Sequence, residues 1–110
     1  MAKLQLIVRP TFKAKVAIAV AGGDSVDVEF EFKHRTKDAL EAFVKAGEGR
    51  SDVKMLTEMA TGWDVEGEEL GKTAKFDDAN IELFFQNYLG APVAIYEAYL
   101  RELVKAKAKN

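Results

Sequence analysis

The chain has 110 residues, enough for one domain around one core and well short of the length at which chains divide. Charge is almost balanced, 16 Lys and Arg against 18 Asp and Glu, so the basic excess of a nucleic-acid backbone binder is missing. Cysteine is absent, which excludes disulfides, thiolate zinc sites, iron–sulfur clusters and cysteine nucleophiles. With one histidine (His34) and two serines (Ser25 and Ser51), the composition speaks against an enzyme.

No stretch approaches the roughly 18 apolar residues of a membrane span. Residues 4–8 are too short an apolar run for a signal peptide and are cut by Arg9 and Pro10, so a cytoplasmic protein is expected. The same residues could add a short edge strand, an assignment that Pro10 weakens.

Residues 12–20 alternate, with Phe12, Ala14, Val16, Ile18 and Val20 on one face and Lys13, Lys15, Ala17 and Ala19 on the other. After Gly22-Gly23-Asp24 the alternation resumes, with Val26, Val28, Phe30 and Phe32 opposite Asp27, Glu29 and Glu31. Period-two patterning on both sides of a glycine-rich break predicts an antiparallel hairpin over about residues 11–34. Both apolar sets fall on even positions, so the loop must be odd in length. A three-residue turn at 22–24 fits and would set Lys15 opposite Glu31.

The period then lengthens. Thr36 is placed to cap a helix carrying Leu40, Phe43 and Val44 that Gly47 stops, and Ser51 to cap a second carrying Val53, Leu56 and Ala60 up to Gly62. Residues 64–75 have no period and carry four carboxylates against two lysines, which predicts a loop. Asp77 caps a third helix, with Phe76 set to pack on Ile81 and a stripe of Ile81, Phe84, Phe85, Tyr88 and Leu89. Pro92 opens a fourth over about residues 92–106, with Val93, Tyr96, Leu100, Leu103 and Val104 inward and the lysine–alanine end from 105 fraying. The plan is one α+β domain, an N-terminal antiparallel β-hairpin packed against about four helices spanning residues 36–107.

No catalytic, cofactor or metal constellation emerges. Gly71-Lys72-Thr73 ends like a phosphate-cradling loop, but Glu66 stands where the first glycine belongs, and Glu68 and Glu69 would repel phosphate. Asp64, Glu66, Glu68 and Glu69 miss the spacing of a calcium loop, and His34 has no second imidazole or thiolate with which to share a metal. More informative are apolar residues that fall off the inward stripes. Leu83 lies opposite the third helix's stripe, Ile95 and Tyr99 widen that of the fourth, Met55 and Met59 flank that of the second, and Trp63 follows a helix stop. Such residues either thicken a small core or form a surface for partners or self-association.

Gly62-Trp63-Asp64, the acidic loop, Phe76-Asp77-Asp78-Ala79-Asn80-Ile81, Tyr88-Leu89-Gly90-Ala91-Pro92 and Ile95-Tyr96-Glu97-Ala98-Tyr99-Leu100 resemble the tail assembly chaperones of long-tailed bacteriophages. Phe32-Lys33-His34-Arg35-Thr36 and Gly49-Arg50-Ser51-Asp52-Val53 extend the resemblance over most of residues 30–110. One departure is Leu89, where the family pattern places proline after the tyrosine. The resemblance implies a non-enzymatic protein, without cofactor, that binds the long helical tape-measure protein in the host cytoplasm, keeps it soluble and promotes tail-tube assembly, then leaves before the virion is finished. In many relatives a frameshifted longer form recruits tail-tube protein. A completion protein that stays in the particle is the alternative. Met55, Met59, Trp63, Leu83, Ile95 and Tyr99 are the expected partner-binding residues, with no nucleic acid and no membrane among the partners.

Overall fold

The computed structural model describes residues 3–47 and 49–104. Its elements in chain order are β1 (Thr11–Ile18), β2 (Val26–Lys33), α1 (Lys37–Lys45), α2 (Asp52–Met59), β3 (Ala60–Trp63), α3 (Asp78–Asn87) and α4 (Ala91–Val104). The fold is α+β, a three-stranded antiparallel sheet in the order β1-β2-β3 with helices over one face.

The alternating pattern of the hairpin is realised. Ala14, Val16, Ile18, Val28, Phe30 and Phe32 are buried beneath the helices, while Lys13, Lys15, Ala17 and Asp27 face solvent. The register differs from the expected one by two residues: Lys13 faces Glu31 and Lys15 faces Glu29. A two-residue slip returns every side chain to its own face, so burial is indifferent to it and the turn decides. Asp24 and Ser25, which favour turns over ladders, stay outside the strands, and Gly22 takes a φ of 76° in the connection.

The third strand was not expected. Ala60 ends α2 and begins β3 with no intervening loop, so four residues leave the helical pattern and pair with β2. The pairing shifts register between Glu31 and Phe32, an irregularity that lets the chain turn out of α2 and still join the sheet. Glu29 and Asp64 extend it: the Asp64 N–H donates to the Glu29 carbonyl at 3.1 Å, and the Glu29 N–H donates to Asp64 Oδ1 at 2.8 Å.

All three expected caps form. Thr36, Ser51 and Asp77 each accept from the amide three residues on, at 3.2, 3.1 and 2.9 Å. α3 buries Ile81, Phe84 and Phe85, but it closes at Tyr88 and leaves Leu89 exposed. α4 is rotated from its expected orientation. Ala91, Ile95, Ala98 and Tyr99 are buried, whereas Val93 and Val104 are exposed. Its apolar residues cover about half the circumference, so spacing alone does not fix the phase. Small alanines at 91 and 98 let the helix approach closely while Ile95 and Tyr99 fill the depth. The expected continuation to about residue 106 and the fraying end lie outside the described residues. Residues 4–8 form no strand, and Leu4, Leu6 and Ile7 stand in solvent.

Candidate functional site

Tyr99 is fully buried. Its ring lies among Phe12, Phe32 and Phe43, with centroids 6.5, 5.2 and 6.0 Å away. Its hydroxyl donates to the Lys33 carbonyl at 2.7 Å and accepts from Arg35 Nη1 at 2.8 Å. Arg35 in turn lies 4.3 Å over the Phe43 ring, so one phenol ties α4 to the end of β2 and to α1. Burial raises the phenol's pKa above its ordinary value, and the hydrogen bond and charge of Arg35 oppose that rise.

Ile95 is also fully buried, and with Met55 and Met59 it lines a cleft of about 210 Å³ between α2, α3 and α4. Met59 is buried; Met55 is half-buried, with its sulfur 3.8 Å from Arg50 Nη1. Arg50 also donates to the Phe43 carbonyl at 3.3 Å and pairs with Glu58 at 3.1 Å, which joins α1 to α2.

Trp63 packs edge-on against Phe76 and Phe84, at 5.2 and 5.3 Å, and its indole N–H donates to the Ala74 carbonyl at 2.8 Å. This bond holds down the far arm of the acidic loop. Leu83 lines the same open cleft as Trp63 but is 57% exposed.

The six expected residues therefore do not form one surface. Met59, Trp63, Ile95 and Tyr99 are core, Met55 is a rim residue held by Arg50, and Leu83 alone of the six is freely exposed. The core reading of the wide apolar arcs holds for Met59, Ile95 and Tyr99, and Trp63 joins them from β3, because a thin sheet with short helices needs large side chains to fill the space between.

The acidic loop is built as a turn. Gly71 takes a φ of 82°, its amide donates to Glu66 Oε2 at 3.0 Å, and Lys72 pairs with Glu69 at 3.1 Å. A carboxylate thus occupies the amide that a phosphate would need. Among the described residues no group of three or more His, Cys, Asp or Glu is placed to hold a metal ion.

A different feature is open to partners. Phe43 of α1 reaches the rings of Tyr96 and Tyr99 on α4 at 6.5 and 6.0 Å, and the two helices line a trough of about 810 Å³. Leu40 and Val44 from α1 and Leu100 and Val104 from α4 supply its apolar lining. All four lie on the faces that the sequence pattern predicts to point into the core, Leu40 and Val44 with Phe43 and Leu100 and Val104 with Tyr96. The signal that could have found the trough is the i, i+4 spacing of each pair beside an acid–base pair at the same spacing, Glu41 with Lys45 and Glu97 with Arg101.

Set beside known families, this hairpin-and-helix chain matches the family described as phage tail assembly chaperone over residues 1–110, and it belongs to that family. Comparisons with curated proteins and with solved structures find no match. No described helix is long and apolar enough to cross a membrane.

Proposed function

We propose that this protein binds the tape-measure protein of its phage, keeps that long helical chain soluble in the host cytoplasm, and promotes tail-tube assembly without remaining in the virion. The observation that carries the reading is membership of the tail assembly chaperone family along the whole chain. The surface supports it: a chaperone for an amphipathic helix needs exposed apolar side chains, and Leu83, Val93, Val44 and Val104 supply them in addition to residues 4–8. The role needs no catalytic residue, and none is assigned. Of the six side chains expected to meet a partner, Leu83 and Met55 remain candidates, and the buried four support the fold that presents them. A frameshifted longer form would bring tail-tube protein to the same complex, and self-association could multiply weak client contacts.

The test is affinity capture of the tagged protein from cells producing the phage, with proteomics of purified particles alongside. Recovery of a very long, helix-rich protein, with the bait absent from particles, is the expected result. A bait found stoichiometrically in virions, with no long partner, would make it a completion protein instead.

A further inference from the structure

We propose that the trough between α1 and α4 is the docking site for one amphipathic helix of a protein partner, with acidic and basic residues flanking its apolar stripe. The proposal deepens the chaperone reading and takes from it only the identity of the client. Both walls are helices whose backbone groups are spent on their own ladders, so the trough offers no strand edge. An extended peptide lying there would leave its own amides and carbonyls unpaired, whereas a helix brings its backbone already satisfied.

The lining sets the rest of the chemistry. Leu40 and Val44 on one wall and Leu100 and Val104 on the other are each four residues apart, a span of about one helical turn. Val44 and Val104 are 45% and 66% exposed, an apolar cost to the free protein that a client's stripe would relieve. Each wall also carries an acid followed four residues on by a base, Glu41 then Lys45 and Glu97 then Arg101. None of these four has an ion-pair partner among the described residues. Two carboxylates beside two cations repel an anionic lipid surface or a phosphate backbone as much as they attract it. A helix with a base and an acid on each flank meets all four charges, which selects register and direction more than affinity.

The experiment uses the full-length protein and fluorescein-labelled peptides of about 20 residues, long enough to sample helix. One set tiles the helical stretches of the tape-measure protein, and one designed peptide carries a leucine stripe flanked by Lys and Glu. Wild type is expected to bind the designed helix and at least one tile, and Val44→Asp with Val104→Asp to weaken both by at least about tenfold without changing thermal unfolding. The fourfold exchange Glu41→Lys, Lys45→Glu, Glu97→Lys and Arg101→Glu is expected to invert the preference between the designed peptide and a version with its flanking charges exchanged, a readout that simple loss of packing would not give. The trough is refuted if no peptide binds wild type, if the aspartate variants bind as well as wild type, or if the charge exchange changes nothing. It is equally refuted if the aspartate substitutions only dissociate an oligomer, which would assign the trough to a second copy of the chain. Retained capture of the tape-measure protein by the aspartate variants overturns the trough and leaves the chaperone reading standing. Binding of the designed helix but of no tile supports the trough and removes the tape-measure protein as its occupant.

Discussion

At Tyr99 a buried hydroxyl sits between a guanidinium and a backbone carbonyl, so a substitution there acts on packing and on hydrogen bonding separately. Tyr99→Phe keeps the ring among Phe12, Phe32 and Phe43 but strands the Lys33 carbonyl and one Arg35 donor. A loss of about 1–2 kcal/mol in denaturant unfolding is expected at neutral pH. The pH dependence has a definite sign. The folded-state pKa is raised from 10.0, so the contribution of the phenol is intact below that value. It is lost as pH rises from there through the folded-state value, because the unfolded chain releases its proton first. The advantage of wild type over Tyr99→Phe should therefore shrink above about pH 10. Parallel stability curves for the two proteins across that range would show that the hydroxyl is not buried as described. Ile95 and Leu83 give a simpler contrast. Ile95→Ala should cost about 2–5 kcal/mol, and Leu83→Ser less than about 0.5 kcal/mol, measured by the same unfolding. Comparable losses at both positions would contradict the assignment of one to the core and the other to the surface.

Among the elements, the helix starts were the most legible features of the sequence. Thr36, Ser51 and Asp77 are each the residue type that competes for a free amide, and each captures one. Replacing Asp77 by alanine should cost about 1 kcal/mol and lower the melting temperature by roughly 4–8 °C. An unchanged melting temperature would mean that α3 is held by Phe84 and Phe85 alone. The hairpin faces were legible too, because period two fixes them. Its register was not, since a slip of two leaves the same residues buried. The orientation of α4 was hidden for a related reason. Ile95, Tyr96, Tyr99, Leu100, Leu103 and Val104 leave no polar boundary sharp enough to mark the core side, and the alanines that face inward look neutral in a pattern of large apolar residues. β3 has four residues, one of them glycine, too few for alternation to show.

For the molecule as a whole, the motifs that carried the family resemblance turn out to be mostly scaffold. Trp63 pins the acidic loop, Asp64 closes the ladder with Glu29, Arg35 holds the Tyr99 hydroxyl, and Arg50 joins α1 to α2. This explains why fold and family were readable from the chain while the exposed trough was not. The residues that carried the resemblance are ones this fold uses, and they draw attention away from the exposed positions. The expected site named five side chains by their departure from assumed stripes and Trp63 for following a helix stop, and an error of phase in α4 moved Ile95 and Tyr99 from core to surface on paper. The trough between α1 and α4 comes from two helices with 45 residues between Lys45 and Ala91, a juxtaposition that only the folded chain reveals. Presenting apolar side chains on a well-capped scaffold suits the helix-in-groove recognition proposed for this chaperone.

The most direct measurement of the central claim is the soluble yield of the phage's tape-measure protein when it is produced in bacteria alone, with this protein, and with a folded variant carrying Val44→Asp and Val104→Asp. The account predicts that the tape-measure protein is largely insoluble alone and becomes soluble and co-purifies with the wild-type chain, and that the variant loses most of this effect. A tape-measure protein whose solubility and purification are indifferent to the wild-type chain would contradict it.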